Sequence, residues 1–152
     1  MIKKFSDIVK SRITTVEVNW GVVKFNELSK CQTCDFYILS RGSNLLYIGK
    51  AFHTDVKTEV PQSIDRHRFD KRGLSIQVGQ INLEKSSISK RTESIVNDIE
   101  KLLIYCHNDK PLVNTHHMDK YTGRKNMTVK NIYSPLLRRC IRDAEGRQYK
   151  SC

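Results

Sequence analysis

The sequence has only three prolines and seven glycines in 152 residues. They are scattered, so no Pro-, Gly- or Ser-rich linker divides the chain, and no repeat or low-complexity tract interrupts it. A single domain over 1–152 is expected, long enough to bury a real core. No run approaches the ~20 consecutive apolar residues of a membrane-spanning helix, so no membrane partner is expected. The first residues, Met-Ile-Lys-Lys-Phe, are basic, but no long apolar stretch follows them. A cytoplasmic protein without a secretory signal is therefore expected. Acidic residues are few as well: 16 against 27 Lys and Arg, a formal net charge of +11. After Asn114 the imbalance is sharpest, with nine basic residues to three acidic ones. A concentrated positive excess suits a polyanion, because neutralised phosphates release counterions. A soluble basic protein without such a partner would carry the same charge.

Cysteine is present in an odd number, five, which argues for free thiols in a reducing compartment. Cys31 and Cys34 have the Cys-x-x-Cys spacing of a metal or redox pair, but no second such pair exists. A zinc site would have to recruit His116, His117, Cys140 or Cys152 through the fold. Otherwise the cysteines are incidental.

Segments 35–39 and 46–50 have strand composition, and Gly42-Ser43-Asn44 lies between them, which predicts a β-hairpin over 35–49. A strand is expected at 14–19 and another at 74–81, where apolar and polar side chains alternate. A helix is expected at 5–12, and 22–28 fits no element. Residues 51–60 read as a loop ended by Pro61, followed by a helix over 63–71 that Gly73 stops. Thr92 can cap a helix over 92–106, with Glu93 in its first turn. Ile95, Ile99, Leu102, Leu103 and Cys106 share one face of that helix. Ser134-Pro135 resembles an N-cap and first helical residue, predicting a last helix over 136–143. The expected fold is a small mixed α/β domain, an antiparallel sheet carrying the hairpin and flanked by helices.

Each residue suited to chemistry also has a plain structural reading. Glu100 lies between Val96 and Ile104 on the helical wheel, at the edge of the buried face. A carboxylate there needs a positive partner, and a hard divalent cation is one; an ordinary Glu paired with Lys101 is the alternative. Tyr37 and Tyr47 either pack or bring two phenolic oxygens together on one sheet face. A phenol titrates near ~10, so a base role needs nearby positive charge, which Lys50, Arg66 or Arg68 would supply. Arginine suits phosphate because its fork of donors stays charged; Arg66-His67-Arg68 is otherwise a solvated basic turn. Asn114 follows Pro111-Leu-Val and is otherwise a turn residue. His116, His117 and Asp119 read as polar loop residues.

The order of these features resembles the GIY-YIG nuclease family: a hairpin with two tyrosines, then arginine, then glutamate on a helix, then asparagine in a turn. The stretch from Tyr47 to Ala51, Tyr-Ile-Gly-Lys-Ala, is similar to the family's second motif, and Pro111 to Asn114 to its closing turn. In the first motif Asp35-Phe36 stands where the family has Gly-Ile, and Tyr37 remains. The resemblance covers 34–115, with 1–33 and the basic 116–152 as extensions. It implies a metal-dependent endonuclease that hydrolyses DNA phosphodiesters with one Mg2+ (or Mn2+) held by Glu100. Tyr37, or less readily Tyr47, would activate water with help from Lys50. Arg66 or Arg68 would stabilise charge on the phosphoryl oxygens, and Asn114 would orient the site. Recognition would come from the basic C-terminal quarter (Arg138, Arg139 and Arg142), from the 51–60 loop, or from a homodimer. A restriction, mobile-element or repair role is equally open. The rival readings are a binding protein that keeps the fold without cutting, and a basic interaction protein stapled by zinc.

Overall fold

The computed structural model describes residues 13–143. The expected helix at 5–12 lies outside them, as does Cys152. Six strands form one mixed sheet: β1 (Thr14–Val23), β2 (Phe36–Arg41), β3 (Asn44–Lys50), β4 (Leu74–Asn82), β5 (Met127–Ile132) and β6 (Cys140–Arg142). Their spatial order is β3-β2-β4-β1-β5-β6. All pairings are antiparallel except β1 with β5, which corrects the expectation of a purely antiparallel sheet. The hairpin is β2–β3, closed by Gly42 at φ 62, and β4 joins it directly along β2. Residues 22–28 split between the end of β1 and a 3-10 helix, Phe25–Lys30.

Two helices cover opposite faces. Helix α1 (Val56–Arg66) packs with Tyr37, Leu39, Ile76 and Val78. Helix α2 (Glu93–Cys106) packs with Phe36, Ile38, Ile48, Val16 and Val18. The α2 boundaries follow the sequence, with the Thr92 side chain accepting from Ile95 N–H at 3.3 Å. Seven of its apolar residues are buried, each aliphatic one worth about 1.5–3 kcal/mol.

Two helix expectations need correction. α1 begins at Val56 and contains Pro61, instead of starting after it. Asp55 caps it by accepting from Thr58 N–H at 2.9 Å, and Val56, Val60 and Ile64 form a buried stripe. That cap and stripe offset the roughly 3 kcal/mol that an interior proline costs. His67 ends the helix, so Arg68 lies beyond it, in the left-handed region at φ 56. The expected helix over 136–143 is instead a turn followed by β6. Asn131 captures that turn: its N–H bonds Arg139 O at 2.7 Å and its Nδ2 bonds Arg138 O at 2.9 Å. The Arg138 N–H goes to His107 Nε2 at 2.9 Å. Backbone groups committed to these partners cannot build a helical ladder.

Candidate active site

Strand β3 is an edge of the sheet, and both faces deliver side chains to it. Tyr47 pairs across to Leu39 and lies on the α1 face; Lys50 pairs across to Phe36 and lies on the α2 face. A cleft of about 240 Å³ opens where they meet, lined by Tyr37, Tyr47, Lys50, Glu59, Asn97 and Glu100 among others. A second bay of about 260 Å³ shares Tyr47 and Glu100 with the first. Arg66 and Asn114 line this bay. Six of the seven proposed catalytic residues therefore border two adjoining hollows. Arg68 borders neither.

Tyr37 reaches the cleft from the inner strand β2 because its cross-strand partner is Gly49. A Cβ on Gly49 would lie 2.6 Å from the Tyr37 hydroxyl and 2.7 Å from Cε1, so only glycine leaves room for the ring. The hydroxyl is buried and hydrogen-bonded to Ser63 Oγ. Burial, and then the neighbouring Tyr47, push its pKa far above the ordinary phenol value. Tyr37 is thus poorly suited to take a proton from water. Tyr47 is half-buried and lines both hollows. Its ring lies 5.9 Å from that of Tyr37 and 4.8 Å from that of His67.

Glu100 is largely buried, with 14% of its side chain exposed. Burial raises its pKa; Lys50, whose Nζ is 3.7 Å away, opposes that shift, and Glu59 adds to it. Lys50 also donates to Asn97 Oδ1. Carboxylate and amide oxygens in a half-desolvated cleft are the donors that magnesium prefers. Among the described residues, no three or more His, Cys, Asp or Glu side chains are grouped to hold a metal ion. A cation at Glu100 would have that carboxylate as its protein ligand, beside the Lys50 ammonium 3.7 Å away. Asn114 mimics a paired strand residue. Its Oδ1 accepts from Ile48 N–H at 3.1 Å, and its Nδ2 donates to Ile48 O at 2.9 Å. With Val113 N–H on Leu46 O at 2.8 Å, this covers the β3 edge.

Several residues in the clefts escaped the sequence reading. Glu93 and Asn97 fall at i and i+4, in line with Glu100 at i+7 on α2, a polar stripe that was visible in the sequence. Glu59, which accepts from Thr54 Oγ1 at 2.6 Å, and His53, 3.1 Å from Glu93, had no such signal. Asp35, the departure from the family motif, is a structural knot. Its buried carboxylate accepts from Ile81 N–H at 3.0 Å and is bridged by Arg91.

The proposed recognition arginines lie far from the cleft, near β6 at the opposite edge of the sheet. Arg139 and Arg142 are exposed. Arg138 holds Asp109 with both terminal nitrogens, at 3.1 and 2.7 Å, and also bonds Cys106 O, which gives it a structural task. Cys31 and Cys34 are half-buried free thiols, and burial and Cys31 push the Cys34 thiol up to about 12. Cys140 is disulfide-bonded, which departs from the expectation of free thiols throughout. No helix among the described residues is long and apolar enough to cross a membrane.

A scan against protein-family models, a search of curated proteins and a search of solved structures found no match to this chain.

Proposed function

We propose that the protein is a metal-dependent endonuclease acting on DNA phosphodiesters, with a site of GIY-YIG type. One observation carries this: Tyr47, Lys50 and Glu100 border one cleft, and Arg66 and Asn114 line a bay that shares Tyr47 and Glu100 with it. A bound Mg2+ or Mn2+ would polarise the scissile phosphate and support the leaving oxygen. Glu100 would hold it. Tyr47, more accessible than Tyr37, activates the attacking water beside the Lys50 ammonium. Tyr37 positions Tyr47 and the floor of the cleft through its bond to Ser63. Arg66, at the end of α1, stabilises charge on the phosphoryl oxygens. Asn114 keeps the β3 edge closed, so that the tyrosine stays in register with the glutamate.

The burial of Tyr37 also favours a second reading, a nucleic-acid-binding protein on the same fold that does not cut. The two separate in a cleavage assay on duplex, single-stranded and branched DNA, with magnesium or with chelator. The nuclease cuts at least one substrate only with metal. Tyr47→Phe loses most of that activity, and Tyr37→Phe loses less. Binding without cleavage of any substrate supports the second reading.

A further inference from the structure

We propose that the 260 Å³ bay is a subsite for a backbone phosphate of the substrate strand, next to the phosphate that is cut; this rests on the nuclease reading of the adjoining cleft. The two hollows differ in charge. The first contains Glu59, Glu93 and Glu100 against Lys50 and His53. The bay has Glu100 only at the shared wall; its remaining titratable lining besides Tyr47 is Arg66, His67, His116 and His117. Arg72, Arg91, Arg124 and Arg138 each hold a carboxylate, whereas Arg66 makes no ion pair or hydrogen bond through its side chain among the described residues. The five guanidinium donors are thus left open at the bay, enough to serve an oxygen of the phosphate that is cut and an oxygen of the one next to it.

The histidines are held in place. His67 sits between the rings of Tyr47 at 4.8 Å and Phe69 at 5.9 Å. The loop carrying His116 and His117 is pinned at both ends: Asn114 bonds both polar backbone groups of Ile48, and Asn108 Nδ2 bonds Met118 O at 2.9 Å. Between those pins His117 adopts a left-handed backbone at φ 65, uncommon for residues other than glycine. Cations surround the histidines. After burial, Arg66 lowers the pKa of His67, and Lys101, His116 and Lys50 lower that of His117. An anion in the bay would favour the charged imidazoles that burial and these cations oppose.

The test is fluorescence anisotropy of the whole chain with a labelled duplex and a labelled single strand, in chelator, so that no cutting occurs. His116→Gln with His117→Gln should weaken binding by roughly tenfold. Arg66→Gln should do the same and also flatten the salt slope by about one phosphate contact. His116 is exposed, and the single His116→Gln variant, with an unchanged melting curve, guards against a folding defect. Parent-like affinity in the double histidine variant overturns the subsite and leaves the nuclease reading standing. A parent that binds neither DNA overturns both.

Discussion

Gly49 shows how one missing side chain makes the site possible. The Tyr37 ring occupies the space of the absent Cβ. Gly49→Ala therefore has to displace an aromatic ring whose hydroxyl is buried and bonded to Ser63. A loss of about 1–3 kcal/mol in urea unfolding is expected. In a Tyr37→Val background, where no ring remains to be moved, the same change should cost much less. Equal costs in the two backgrounds would contradict the packing described. Tyrosine–glycine pairing across the hairpin was legible in the sequence only as composition. Alternation assigns a face to Tyr37, but it does not reveal that Ser63, on α1, waits above it. For that reason Tyr37 read as the likelier base, and its burial is why the proposed mechanism gives that role to Tyr47.

At the scale of elements, the junction of α2 with β6 rests on His107. This imidazole is fully buried; its Nδ1 donates to Leu103 O at 2.7 Å, and its Nε2 accepts from Arg138 N–H. The bond at Nε2 requires the neutral ring, because a protonated Nε2 cannot accept; the donation from Nδ1 survives protonation. Burial, its main cause, pushes the pKa down to about 4. The unfolded chain takes up a proton near pH 6.5 and the folded chain does not, so stability is lost as pH falls from about 6.5 towards 4. The full loss is about 3 kcal/mol. The raised pKa values of Asp35 and Glu100 act in the opposite sense. Comparison with His107→Gln cancels them: the variant's stability should fall less over that range in urea titrations at pH 7, 5.5 and 4.5. Equal losses in both chains would show that His107 is not the sensitive group. The hairpin, β4 and α2 were legible because alternation, a Gly turn and a Thr cap all agree with the tertiary fold. α1 was misread because Pro61 looks like a boundary, while the cap at Asp55 lies further upstream. β6 was misread because Ser134-Pro135 imitates a helix start, and the bonds from Asn131 and His107 that forbid a helix come from distant sequence.

At the scale of the whole molecule, the candidate cleft and the exposed Arg139 and Arg142 occupy opposite margins of one sheet. Five strand spacings separate the two edges, about 24 Å along the sheet. Nucleic acid cut at β3 and held near β6 has to lie across that span. Replacing Arg139 and Arg142 with Ala should leave the fold intact and reduce the salt slope of binding by about two phosphate contacts. An unchanged slope would place recognition elsewhere. Arg138→Ala should instead lower stability, because Asp109 and Cys106 O lose their partner. The positive charge was legible in the sequence, but its distance from the cleft and the structural task of Arg138 were not, since both depend on the strand order.

The proposed chemistry depends most directly on Glu100. Its carboxylate is desolvated at the wall shared by both hollows, balanced by Lys50 at 3.7 Å. Glu100→Gln keeps the shape and removes the charge. The decisive measurement is DNA cleavage over a magnesium titration, parent beside Glu100→Gln, with DNA affinity in chelator and melting curves taken on the same preparations. The parent should cut only with metal. The variant should lose cleavage at every magnesium concentration while it still folds and binds DNA. A variant that cuts as well as the parent would contradict the assignment of Glu100 as the metal ligand.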